Sequence, residues 1–399
     1  MTKYLAKLND ELIEMRRNLH RHPELAFAEK NTTDFLEKVL KDNGIQTQRF
    51  QNTTGLVGIL KGELPGEKVI AVRSDIDALP LVEETGLPFA SETEGICHAC
   101  GHDLHMSAVL GSAILLSKLR KKLPGTVKFI FQPAEEGQQG AKSLLAQNVL
   151  HNPDVDYIFG LHTWPEIPGG TIGFRHGAMM ASSDTFTITV IGKGGHAAHP
   201  HKCIDPVVVS AQIIVALQTI VSRSVKPVEG AVITIGKVVA GTKGNIIPTE
   251  AKMEGTIRTL NPEVRSLIHA DLKRLATSIA EAFGAEAKVE LNLGGPPVVC
   301  TDMLVDTVAE VGRTLLGKER VIELKEPSMG SEDFAFYLEQ IPGVFFRIGT
   351  QTADANSKLA LHSPKIIFSE QGIIEGAKVL AGCVLKINGG DPTEITKIE

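Results

Sequence analysis

The chain is 399 residues long, 43% hydrophobic and 22% charged, with 38 glycines and 20 prolines. These are globular proportions that exclude a disordered, collagenous or coiled-coil chain, and the length allows two domains. A net charge of -6, one tryptophan and three tyrosines supply neither a basic field nor stacking platforms, which argues against nucleic acid or an anionic membrane as partner.

The cysteines, at 97, 100, 203, 300 and 383, are too scattered for a disulfide scaffold. The opening, MTKYLAKLNDELIEMRRNLHRHPE, is amphipathic and charged from its first turns, unlike a signal peptide. The longest apolar stretch, near 207–217, is broken by Ser210 and Gln212 and is read as too short to span a bilayer. A cytoplasmic location is expected.

In chain order, Leu5, Leu8, Leu12, Met15 and Leu19 recur at helical spacing, and a second helix over 33–40 stops at Asn43-Gly44. Short apolar runs at 56–60, 69–72, 127–131, 157–161 and 344–348 predict strands. Three of them (VKFIF, YIFGL, VFFRI) are nearly continuous in apolar residues, as strands covered on both faces are. Helical patterns at 104–120, 140–149, 301–316 and 369–387 lie between the strands. Alternating strands and helices predict a mostly parallel α/β sheet. From 184 to 295 the pattern changes to strictly alternating strands around helices at 206–221 and 262–283. That order, β-α-β-β-α-β, is ferredoxin-like. The reading is an α/β domain in two parts, 1–183 and 296–399, interrupted by an inserted α+β domain at 184–295.

In an open parallel sheet ligands bind beyond the carboxyl ends of the strands. There the sequence places Asp75 and Asp77 after KVIAV, Glu135 and Glu136 after VKFIFQP, and His162 after YIFGL. The run CHACGHDLH, 97–105, precedes the next helix. Imidazoles, thiols and carboxylates converging on one end of one sheet have the composition of a metal site. Each has a plainer reading as well. Glu135 and Glu136 fit the acidic first turn of a helix, and Asp75 and Asp77 fit turn or cap positions. Cys97-x-x-Cys100 is half a zinc knuckle without a second pair; a redox dithiol is the other reading. HExxH, GxSxG, GxGxxG and GxxxxGK[ST] are absent, which removes support for zincins, serine hydrolases, dinucleotide enzymes and P-loop NTPases.

The motifs RRNLHRHPEL, RSDIDALP, HACGHDLHM, FQPAEEG, GLHTWP, GKGGHAAHP, GNIIP, GTIRT, SMGSEDFAF and LALHSP run in order through nearly the whole chain. On them the chain resembles the aminoacylase/amidohydrolase branch of the dinuclear zinc metallopeptidases. That branch holds hippurate hydrolases, auxin-conjugate hydrolases and N-acyl-L-amino-acid amidohydrolases. The resemblance implies two divalent metal ions, zinc foremost with manganese, cobalt or nickel as alternatives. Their ligands would be Cys100, His102, Glu136, His162 and His362, with Cys100 bridging where more distant relatives use Asp. It implies Glu135 as general base, Asp77 supporting a ligating imidazole, and His196, Asn245 and Arg258 on the substrate's carbonyl or carboxylate. Asp75 and Asp103 are not assigned as ligands, His105 is read as structural, and His199 and His201 receive no role. Left to themselves, Asn245 reads as a turn residue and Arg258 as a solvated strand residue.

The implied activity is hydrolysis of N-acyl-L-amino acids to a carboxylic acid and a free amino acid. The implied assembly is a homodimer or dimer of dimers through the inserted domain. Rival readings are a dipeptidase or carboxypeptidase, an N-acetyl-diaminopimelate deacetylase and, more remotely, a non-catalytic metal-binding protein.

Overall fold

The structure is a computed structural model describing residues 2–399. It divides into two compact units, one of Met1–Gly177, Val299–Glu326 and Asp333–Glu399, the other of Ala178–Val298 and Pro327–Glu332.

The first unit is built on an eight-stranded sheet. Its order is Gln46–Arg49, Leu56–Lys61, Pro124–Gln132, Leu64–Asp75, Tyr157–Pro168, Gly343–Gln351, Ile172–Phe174 and Val321–Glu323. The four strands from Pro124–Gln132 to Gly343–Gln351 are mutually parallel. Parallel neighbours need a crossover, and helix His102–Lys118 supplies the one between Leu64–Asp75 and Pro124–Gln132. That helix is buried from His102 through Leu116. Gly111 lies at its closest approach to helices Lys3–Arg21 and Gln371–Ile387, where a Cβ would meet Leu12 at 2.7 Å and Ala377 at 2.8 Å.

Two elements differ in extent from the sequence reading. The strand expected at 157–161 runs over Tyr157–Pro168, so His162 lies within it rather than beyond its end. The apolar run stops at Leu161, but pairing with the neighbouring strand continues through His162–Arg347, Thr163–Ile348 and Trp164–Gly349. The helix expected at 140–149 covers only Gly140–Leu145, and Asn148 beyond it has a left-handed φ of 58°.

The second unit holds a four-stranded antiparallel sheet, in the order Ala231–Ala240, Glu250–Thr259, Asp184–Ile191 and Glu286–Asn292. Helices Pro206–Thr219 and Pro262–Ala282 pack on it. Both begin at a proline behind an Asx cap: Asp205 accepts from Val207 N–H, and Asn261 from Glu263 N–H. Phe186, Ile188 and Val190 alternate inward to meet Ile213, Leu217, Ile268 and Leu272. The helical stretch Pro206–Ser224 is, contrary to expectation, long and apolar enough to cross a membrane by length and composition. Its Val209, Ile213, Leu217 and Ile220 are nevertheless buried in the core of this unit.

Candidate metal centre

The site is assembled at the carboxyl end of strand Leu64–Asp75, the start of helix His102–Lys118 and the turns after two further strands. Helix His102–Lys118 is capped by Gly101 at φ 86°. A Cβ on Gly101 would lie 2.7 Å from Thr163 Cγ2, so glycine alone brings the Cys100–His102 backbone this close to the neighbouring strand. His362 also has a left-handed φ, 68°, and its N–H donates to the Ala99 carbonyl at 3.0 Å. In this way two segments far apart in the chain meet beside Cys100.

The five residues implied as ligands converge. Donor atoms of Cys100, His102 and His162 lie within 4.8 Å of one another, and so do those of Cys100, Glu136 and His362. Cys100 belongs to both groups. Burial, with the Glu136 charge nearby, pushes its thiol up to about 12, so as a ligand it would release its proton on binding.

Backbone carbonyls fix the imidazoles. His102 Nδ1 donates to the Asp77 carbonyl and His162 Nδ1 to the Thr163 carbonyl, both at 2.8 Å. Each ring therefore turns its Nε2 toward the cluster. Burial would lower His102, but Asp75 and Cys100 hold it well above the usual imidazole range, so as a ligand it would release a proton on binding. Burial, helped by His105 and Arg347, holds His162 far below the usual imidazole range, so it is neutral. His102 Nε2 and Glu136 Oε1 are buried without hydrogen-bond partners, 3.9 Å apart. Two such atoms cost about 1–3 kcal/mol each, and a cation between them removes that cost. The donor set fits divalent metal: two triads sharing a soft sulfur, completed by imidazole and carboxylate.

Glu135 is buried, with Oε2 4.0 Å from His102 Nε2. Its Oε1 accepts the Asp333 N–H at 3.4 Å. The helix-first-turn reading of Glu135 and Glu136 fails, because the chain turns at Ala134, φ 52°, and helix begins only at Gly140. Adjacent side chains thus sit on a turn, Glu136 in a donor triad with Cys100 and His362, and Glu135 in a further one with His102 and Glu136.

Residues 71–386 match peptidase family M20/M25/M40. The chain belongs to this family. It is 43% identical over 371 residues to N-acetylcysteine deacetylase of Bacillus subtilis (strain 168), covering 93% of this chain and 95% of that one. It is 37% identical over 385 residues to thermostable carboxypeptidase 1 of Saccharolobus solfataricus, covering 96% of each. Among solved structures, the Bacillus subtilis YXEP protein, a dinuclear metal binding peptidase from the M20 family, superposes with a TM-score of 0.85 at 38% identity. That match covers 96% of this chain and 99% of the other. The protein is a metal-dependent amide hydrolase, and the two donor triads support two metal ions.

In this M20-family enzyme Asp75, Asp103 and His105 have clear surroundings. His105 Nδ1 donates to Asp75 Oδ1 at 2.7 Å, and its Nε2 accepts the Thr163 N–H at 2.8 Å. Both nitrogens are thereby used, although His105 and Asp75 cluster with His102. Asp103 meets Arg16 Nε at 2.6 Å and His20 Nδ1 at 2.8 Å, tying the first helix to the metal loop. The spacing of His102 and His105, three apart on one helix, was the available sign that both face the site. For Asp77 the shorter contact to His102 comes from the backbone carbonyl, at 2.8 Å, while the carboxylate stands at 3.3 Å and Oδ2 accepts the Glu136 N–H at 3.1 Å. All five cysteines, Cys97 and Cys100 included, are free thiols.

The remaining candidates lie in the second unit. His196 is exposed on a two-residue strand paired with Ile246, and Asn245 accepts the Ala197 N–H on its carbonyl. Arg258, on strand Glu250–Thr259, is half-buried, and its Nη1 is buried without a hydrogen-bond partner. A solvated strand residue would not keep a guanidinium nitrogen in that state.

Proposed function

We propose that this enzyme hydrolyses N-acyl-L-amino acids, N-acetyl amino acids among them, to a carboxylic acid and a free amino acid. The observation that carries the reading is Cys100 shared by two donor triads, with the separate carboxylate of Glu135 beside them. Similarity to an N-acetylcysteine deacetylase supports the acyl amino acid as substrate class. Similarity to a carboxypeptidase keeps peptides as the second reading, since a peptide is itself an N-acyl amino acid.

Cys100, His102, Glu136, His162 and His362 would hold two divalent ions, with Cys100 bridging. Zinc suits a thiolate and imidazoles best, with manganese, cobalt or nickel as alternatives. Ions held there would acidify water and polarise the scissile carbonyl. Glu135 acts as general base, taking a proton from water and passing it to the leaving amine, which requires a carboxylate not consumed as a ligand. Asp77 holds His102 in its Nδ1–H form and keeps Glu136 in place through the backbone. Arg258, whose planar fork matches a carboxylate, and Asn245 bind the substrate's free carboxylate. His196 donates to the carbonyl oxygen as charge develops on it, a contribution of ~2.7–4 kcal/mol for one such donor.

The inserted domain, 184–295, serves as lid and dimerisation domain, and the enzyme works in the cytoplasm as a homodimer or dimer of dimers. Strand Ala231–Ala240 supports association of copies, as a sheet edge bearing exposed Val232, Val238 and Val239. Free amino acid released from N-acetyl, N-benzoyl and longer N-acyl amino acids, N-acetyl-diaminopimelate and dipeptides tests the whole reading. Chelator-sensitive release from acylated amino acids with little from dipeptides is expected. Release from dipeptides alone would make the enzyme a peptidase, and release of nothing with metal bound would contradict catalysis.

A further inference from the structure

The geometry points to Glu29 and Asp333 as positioning residues for Glu135: two buried carboxylates that grip the turn carrying it at both ends. This inference rests on Glu135 being the general base. Glu29 is fully buried, yet the hydrogen bonds of its carboxylate reach an amide and a hydroxyl, without a cation. Its Oε1 accepts the Ala134 N–H at 3.0 Å, and its Oε2 accepts the Thr54 hydroxyl. Asp333, also fully buried, accepts the Ala141 N–H at 2.9 Å and Gln132 Nε2 at 2.7 Å. Arg73 Nη2 reaches the same carboxylate at 2.9 Å, and the Asp333 N–H is the group that meets Glu135 Oε1.

The turn between these anchors closes on backbone bonds from Gln138 N–H to the Glu135 carbonyl at 2.7 Å and from Gly140 N–H to the Ala134 carbonyl at 3.1 Å, and those bonds leave the Ala134 N–H for Glu29. Residues 133–139 lie outside any helix or strand, and Ala134 and Gln138 both have φ of 52°, a region L-residues seldom occupy. Conformations of that kind persist only where surrounding groups over-determine them, and they gather at functional sites. Burying a carboxylate without a counter-charge is expensive, and here the carboxylate is aimed at the amide immediately before Glu135. A general base needs placement of this kind, since a displacement of about 1 Å is enough to cost ~10²-fold in rate.

The test compares Glu29→Ala, Glu29→Gln and Glu135→Gln in the metal-loaded enzyme, reading kcat and KM separately together with bound metal. Hydrogen exchange of the peptide covering 133–141 is read in the metal-free protein. Glu29→Ala should lose about 10²-fold in kcat with KM and metal content little changed, and the peptide should exchange faster. Glu29→Gln, whose amide oxygen still accepts the Ala134 N–H, should recover most of the rate and the protection. Wild-type kcat or unchanged exchange in Glu29→Ala overturns the inference, as does Glu29→Gln behaving like Glu29→Ala. If Glu29→Ala does not fold, Thr54→Val replaces it; faster exchange with a few-fold lower kcat supports the grip, and wild-type values for both overturn it. Glu135→Gln separates the two claims. An inactive Glu135→Gln beside a fully active Glu29→Ala removes only the positioning role, whereas an active Glu135→Gln removes the base itself.

Discussion

Asp75 and His105 share a hydrogen bond of 2.7 Å behind the candidate metal centre, with both side chains fully buried. Because His105 spends its second nitrogen on the Thr163 N–H, the pair holds a residue that touches two proposed ligands. The Thr163 carbonyl fixes His162, and the Thr163 hydroxyl donates to the Cys100 carbonyl at 2.8 Å. Outer partners of this kind are typically worth about 10–100-fold in metal affinity. His105→Ala should therefore weaken zinc binding by about that factor in a competition titration against a chromophoric chelator. Wild-type affinity in the variant would remove the support role.

Gly101→Ala asks whether the approach of the metal loop to Thr163 is obligatory. The substitution meets both a left-handed backbone and a 2.7 Å contact. It should destabilise the fold by at least ~1 kcal/mol and reduce bound metal, as read by urea unfolding and elemental analysis. An alanine variant as stable and as metal-rich as the parent would mean that the loop relaxes freely.

Arg258→Ala should raise KM for N-acetyl amino acids far more than it lowers kcat. The gap should close for substrates whose carboxylate is amidated. Equal losses on both substrate classes would place Arg258 elsewhere than on the carboxylate.

In the second unit, Asp184 accepts from Arg265 at 2.6 and 2.8 Å, from His269 Nε2 at 2.9 Å and from Gly294 N–H at 3.0 Å. Burial by itself would raise its carboxyl, but Arg265 and His269 bring it down to about 2. A depressed carboxyl stabilises the fold above its unfolded value of about 3.9. That stabilisation disappears as pH falls toward 2 through the folded value. Urea midpoints taken between pH 5 and pH 2 should therefore fall less steeply in Asp184→Asn, which starts from a lower stability. Parallel profiles for the two proteins would count against this ion pair.

How far the sequence foretold this depends on how far apart the partners stand. Cys100, His102, Glu136 and His162 stand in local motifs whose composition marks a metal site, whereas their assignment as ligands together with His362 came from the resemblance of those motifs to a known family. The extension of the strand to Pro168 was hidden, because its pairing with Gly343–Gln351 carries it through the polar pair His162-Thr163. The Glu29–Ala134 and Asp333–Ala141 contacts join residues 105 and 192 apart in the chain, and no periodicity records such a pairing. Ala134 is likewise silent in sequence, since nothing in an alanine announces a φ of 52°. The resemblance implied Asp77 as a support for a ligating imidazole without saying which; its backbone carbonyl makes the shorter contact to His102, and a carbonyl leaves no mark on residue identity.

The most direct measurement is turnover of an N-acetyl-L-amino acid by Glu135→Gln, made together with its metal content. The account predicts two bound ions, as in the parent, and a loss in kcat of about 10²–10⁴-fold. Parent-like turnover with both ions in place would contradict it.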